Sequence, residues 1–270
     1  MLPAGRRRVK TTPVGHNERM RATALWLAIG LLPLALVACG GATPPTEPAA
    51  GTVVDPATAA RITGRARFEG DRPPVEMVRL DADRQCVAAA GASEQPAGDV
   101  VIDGDGGLQH VFVYVARGLE GRSFPVPSTP VVIDQQQCRY APRVVGVRVG
   151  QALEIRNGDP LLHNVRSASA INQPFNQGQP VQGMVYSHTF TTREVMVPLG
   201  CDVHAWMQAY IGAVEHPYFA VTGADGRFAL PDLPPGTYTL EAWHERFGTR
   251  TAQVTLAPGA TDDVVFTFTR

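Results

Sequence analysis

A chain of 270 residues, 44% hydrophobic and 18% charged, is long enough for two folded domains and has the make-up of an ordinary globular protein. Its formal charge of -1 is unevenly spread: Arg6, Arg7, Arg8, Lys10, Arg19 and Arg21 precede Cys39 against Glu18 alone. Taking these from 24 basic and 25 acidic residues leaves 18 and 24, a net of -6 beyond Cys39, and an acidic body is a poor partner for nucleic acid.

Ala22 to Ala38 is an uncharged, mostly apolar run behind Arg19 and Arg21, ending in Leu36-Val37-Ala38-Cys39. A charged start, an apolar middle and small residues before a cut make a secretory signal. A run of 17 residues with Pro33 inside it is at the short limit for a membrane span. The Cys at the cut resembles a bacterial lipobox, whose Cys is lipidated and becomes the first mature residue. Residues 1–39 are therefore read as a lipoprotein signal peptide with Cys39 as the lipidation site, starting at Met1 or Met20. Arg6-Arg7-Arg8 stands too far from the apolar run to serve as a twin-arginine signal. Residues 40–60 open on a Gly/Ala/Thr/Pro tract and read as a flexible linker. The expected location is the periplasmic side of a membrane in the cell envelope, lipid-anchored.

Residues 61–128 form an N-terminal β segment, with strands around Ile62, Ala66 and Phe68 and over His110 to Val115. Asp103-Gly104-Asp105-Gly106-Gly107 lacks the later Glu of a twelve-residue calcium loop and reads as a turn.

Residues 129–216 carry the chemistry. His163 lies far upstream, while Cys201, His204 and Met207 fall within seven residues of one another, close enough for a single loop between strands. Two imidazoles, a thiolate and a thioether are the donors of a blue-copper site, with Met as the weak axial ligand. Arg143 to Asn157 followed by His163-Asn164-Val165, and then Cys201-x-x-His204-x-x-Met207, resemble a cupredoxin, the family of plastocyanin, azurin and amicyanin. The resemblance implies one type 1 copper per chain, held by His163, Cys201, His204 and axial Met207. It also implies that Asn164 pins the two ligand loops together from behind, and that His204 is the ligand nearest the surface, with Trp206 in an apolar docking patch. Tyr140-Ala141-Pro142 stands where many cupredoxins carry Phe-x-Pro, which puts the local packing in question. With Cys201 as metal thiolate, Cys86 and Cys138 are left as a pair, and in an oxidising compartment a disulfide between them is the simplest assignment; free or metal-binding thiols are the alternative. Ile171 to Met184 is Asn/Gln/Gly/Pro-rich and reads as a loop. His188 reads as a surface or edge residue of the strand over Val185 to Phe190. Ala209 to Val214 is expected to close the barrel.

Residues 217–270 bring hairpin turns at Asp225-Gly226 and Pro234-Pro235-Gly236. They resemble the second half of a carboxypeptidase regulatory-like domain, a transthyretin-type β-sandwich. Gly64 to Gly70 and Val111 to Val115 could supply the missing half, giving a sandwich split by the inserted cupredoxin; an independent N-terminal β segment is the rival. Trp243-His244-Glu245 is explained by a strand end and a polar turn.

The fold class expected is all-β: a cupredoxin Greek-key β-barrel or sandwich plus a small transthyretin-like β-sandwich. No Gly-x-Ser-x-Gly, His-Glu-x-x-His or Cys-x-x-Cys-His is present, and no Cys-x-x-x-Cys of a binuclear copper centre, so no enzyme chemistry is expected. The function expected is a membrane-tethered carrier of single electrons serving a redox partner protein of the envelope. The alternatives are a copper storage or delivery protein, and a structural or glycan-binding lipoprotein that uses the cupredoxin as scaffold.

Overall fold

The computed structural model describes residues 51–270. The expected signal peptide, Cys39 and most of the tether lie outside them. Among the described residues no helix is long and apolar enough to cross a membrane. The fold is all-β apart from one short helix.

The segment with the ligand motif contributes β5 (Val131–Gln136), β6 (Arg139–Ala141), β7 (Val144–Arg148), β8 (Ala152–Asn157), β9 (His163–Ser167), β10 (Asn176–Gln179), β11 (Val185–Thr189), β12 (Glu194–Gly200) and β13 (Gln208–Val214). They form two sheets, ordered β10-β9-β12-β13-β7 and β11-β8-β5-β6. The pairings β13 with β7 and β5 with β8 are parallel, and the others are antiparallel. Alternating residues such as Leu153 and Ile155 of β8 turn inward to meet Val165, Leu199 and Ile211 in one core.

Two expectations change here. β13 does not close a barrel; it is an interior strand between β12 and β7. The stretch Ile171 to Met184 is not all loop, because Asn176–Gln179 pairs with β9 as an edge strand. Three of its four residues are exposed, which hides it from an apolar pattern, while buried Gln179 donates to the Ile155 carbonyl at 3.0 Å. His188 sits on β11, an edge strand, with its ring against Phe175 and Phe190.

The flanking residues form a second sandwich. β1 (Ala60–Phe68) lies between β15 (Arg227–Leu233) and β18 (Thr261–Phe268). β4 (Phe112–Arg117) lies between β14 (Phe219–Val221) and β16 (Gly236–His244), with β17 (Gly248–Leu256) beyond. Strands from before and after the metal-motif segment thus share both sheets and one core, in which Ile62, Val113, Leu230 and Leu240 are fully buried. The Asp103 turn is closed by its own carboxylate, which accepts from the amides of Asp105 and Gly107 and pairs with Arg65.

Between β1 and β4 projects a small lobe of β2 (Met77–Arg79), α1 (Arg84–Ala90) and β3 (Glu94–Pro96). The helix is bounded by N-cap Asp83, whose carboxylate accepts from the Gln85 amide at 2.7 Å, and by Gly91 in the left-handed region. A disulfide from Cys86 to Cys138 ties this lobe to the turn between β5 and β6.

Phe112 joins the two sandwiches, packing on Phe219 and against a patch where Gly146 and Gly212 leave room. A Cβ at Gly212 would come within 2.4 Å of the Phe112 ring, and one at Gly146 within 2.2 Å of Phe219. Alongside, Arg143 makes a two-pronged, largely buried ion pair with Glu245 at 2.5 and 2.8 Å.

Candidate metal centre

His163 opens β9, and Cys201 follows the last residue of β12. A turn brings His204 back, closed by a hydrogen bond from the Met207 amide to the His204 carbonyl at 2.9 Å, and Met207 then leads into β13. Two adjacent strands of one sheet therefore deliver the ligand residues to a single end of the fold, as a preorganised site requires.

The Nδ1 atoms of His163 and His204 face each other at 3.1 Å, and the Cys201 Sγ lies 3.9 Å from the His204 Nδ1. The three donor atoms all fall within 4.8 Å of one another. Bonds of about 2.0 Å to nitrogen and 2.3 Å to sulfur around one first-row ion place its ligand atoms roughly 3.3–3.8 Å apart. The residues fit such an ion. Met207 is 1% exposed and packs in the same apolar cluster as Cys201.

Both imidazoles are gripped from behind by carboxylates. His163 Nε2 meets Asp159 Oδ2 at 2.9 Å, and His204 Nε2 meets Asp83 Oδ2 at 3.1 Å. A carboxylate accepts only, so each Nε2 carries the hydrogen and each Nδ1 lone pair is left for a metal. Hydrogen bonding to His204 is the main cause that holds the Asp83 carboxyl below its ordinary range. Burial alone would push the Cys201 thiol up, but hydrogen bonds with His163 and His204 and from the Asn164 amide bring it down to about 6. The thiolate is the form in which a cysteine ligates a metal.

Asn164 stands between the ligand loops: its amide donates to Cys201 Sγ at 3.4 Å, and its side-chain oxygen accepts from the Asp202 amide at 3.1 Å. Tyr140 adds a second tie, its hydroxyl donating to the carbonyls of Asn164 at 2.8 Å and Gly200 at 3.1 Å. The Tyr that departs from the Phe-x-Pro pattern therefore uses its hydroxyl to link the two loops.

One expectation fails. His204 is not the ligand nearest the surface but is 1% exposed, because Asp83 and the α1 lobe cover its outer edge. Trp206 is half-buried beside it, donating to the Cys138 carbonyl at 3.1 Å instead of standing in an open apolar patch. Two clefts reach the cluster: one of about 390 Å³ touches Cys201 and Met207 between Arg166, Asp202 and Tyr210, and one of about 450 Å³ touches Met207 and Trp206. Asp159 and Asp83 were missed in the sequence. Asp159 had a usable signal, four residues before His163; Asp83, 121 residues from its imidazole, had none.

Residues 208–269 match the carboxypeptidase regulatory-like domain family. No curated protein matches the chain. Among solved structures, the chain is similar to a Cu-containing nitrite reductase from Thermus scotoductus SA-01, at 22% identity and a TM-score of 0.31, over 38% of this chain and 25% of that one. The chain thus spans a quarter of that enzyme's length. It is also similar to a purple cupredoxin from Nitrosopumilus maritimus, at 20% identity and a TM-score of 0.27, over 31% of this chain and 98% of that one. An oxidized amicyanin variant aligns at 18% identity and a TM-score of 0.29, over 37% of this chain and 97% of that one.

Proposed function

We propose that this chain is a type 1 copper protein that carries single electrons in the cell envelope, lipid-anchored through Cys39 and serving a redox partner protein, with no enzymatic step of its own. One observation carries the reading: two imidazole Nδ1 atoms 3.1 Å apart, with a thiolate sulfur 3.9 Å from one of them, in an apolar core. Copper held by two imidazoles, a thiolate and a weak thioether takes up and returns one electron with little ligand movement. The chain's own residues supply the rigidity. Asp159 and Asp83 fix the two ring orientations, while Asn164 and Tyr140 lock the ligand loops to each other. With His204 covered, exchange with the partner would run through the cleft beside Cys201 and Met207.

The covered edge of His204 favours a second reading, a copper storage or delivery protein, because it leaves that imidazole no open face for a redox partner. Voltammetry of the copper-loaded full chain separates the two. A carrier gives a reversible one-electron wave and keeps its copper against a chelator through repeated cycles. A storage protein gives no reversible wave and surrenders copper on reduction.

A further inference from the structure

The disulfide lies against the ligand set. The sulfurs of Cys86 and Cys138 and a ring nitrogen of His204 all fall within 4.8 Å of one another, and Cys138 forms a second such group with Asp159 and His163. Both cysteines are fully buried in the apolar cluster that also contains Cys201 and Met207. His204 thus belongs to two sulfur-bearing sets, one with Cys201 and one with the disulfide pair. A disulfide used only to staple the lobe has no need to stand at a metal-binding imidazole.

We propose that Cys86 and Cys138, once their disulfide is reduced, form with His204 a second, sulfur-rich site for Cu(I). In the reduction the Sγ–Sγ bond breaks as two electrons and two protons arrive from a dithiol, which is oxidised to its own disulfide. The two new thiols release their protons to solvent as the metal binds, because the thiolate is the ligand. Two thiolates and an imidazole are a soft donor set that selects Cu(I) over hard cations. The lobe is built of two three-residue strands and a seven-residue helix, so local opening gives a small dithiol its path. Since the two sets share His204, reducing conditions would draw copper from the Cys201 side toward the lobe, a device for handing the metal on.

The test uses the full chain with Cys201→Ala, which removes the thiolate from the site proposed for electron transfer, and the oxidised form measures what its remaining imidazoles and thioether bind. The protein is reduced with a dithiol, desalted without oxygen, assayed for thiols and titrated with Cu(I) against a chromophoric chelator. Two thiols and one Cu(I) per chain beyond what the oxidised form takes are expected after reduction. Adding His204→Ala is expected to weaken binding at least about tenfold; if that variant does not fold, X-ray absorption on Cys201→Ala alone should count two sulfurs and one imidazole at the copper. A disulfide that the dithiol leaves closed, a reduced chain that takes no Cu(I), or binding indifferent to His204 with no imidazole in the absorption spectrum would overturn the proposal. None of these outcomes depends on whether the Cys201 site carries electrons.

Discussion

Asp83 and Asp159 do for the candidate metal centre what the ligand motif alone cannot, since they decide which nitrogen of each imidazole is free. Carboxylates behind metal-binding imidazoles fix the tautomer and raise the basicity of the ring, and losing such a contact typically lowers metal affinity about 10–100-fold. Asp83→Asn and Asp159→Asn are each expected to weaken copper binding by a factor in that range while the far-ultraviolet spectrum stays unchanged, as read by chelator competition. Unaltered affinity in both variants would mean that the carboxylates serve the fold alone. The four candidate ligand residues could be picked out because donor chemistry and spacing are written in the sequence. Asp83 was not, since nothing local ties an N-cap carboxylate of a seven-residue helix to a ring 121 positions away.

At the scale of elements, the loop from β9 to β10 is held by Glu194 at the start of β12. This carboxylate accepts from the amides of Ala170 at 2.6 Å and Asn172 at 2.9 Å, and from the hydroxyl of Ser169. Burial would push the Glu194 carboxyl up, yet these bonds hold it at about 2, below its ordinary 4.5. A depressed acid stabilises the fold fully above the unfolded value and loses that contribution as pH falls through the folded one. Glu194→Ala is expected to cost about 3 kcal/mol at neutral pH, and Glu194→Gln to flatten the acid-induced loss of stability between about pH 4.5 and 2, both measured by urea unfolding. The joint between the sandwiches is the second element-scale case. Gly212→Val should destabilise by at least about 2 kcal/mol, because its Cβ would stand 2.4 Å from the Phe112 ring and 2.8 Å from Met196 Cε, and overpacking has few places to relax. A thermal midpoint equal to the parent would contradict that packing. Strong alternation made most strands readable in advance, whereas β10 escaped because its outward face is polar and β2 and β3 because they are three residues long.

Across the whole molecule, the metal-motif segment stands between the two parts of the flanking sandwich. Among the described strands β1 is flanked by β15 and β18, and β4 by β14 and β16, so both sheets of the flanking sandwich join strands from either side of the ligand segment. The turn signals of the C-terminal residues and the Val-rich run at Val111 to Val115 suggested this arrangement, but a pairing between residue 62 and residue 262 is a matter of long-range register that no local pattern states. The lobe uses the same layout: an excursion between β1 and β4 carries Asp83 and Cys86 onto the ligand cluster, turning the outer edge of His204 from an exposed face into a covered one. The most direct measurement on this account is the visible absorption spectrum of the full chain titrated with Cu(II), beside a Cys201→Ala variant. An intense thiolate-to-copper band saturating at one copper per chain, and absent from the variant, is the expected result. A correctly folded chain that gives no such band, or a band that survives the loss of Cys201, would contradict the assignment of the metal centre.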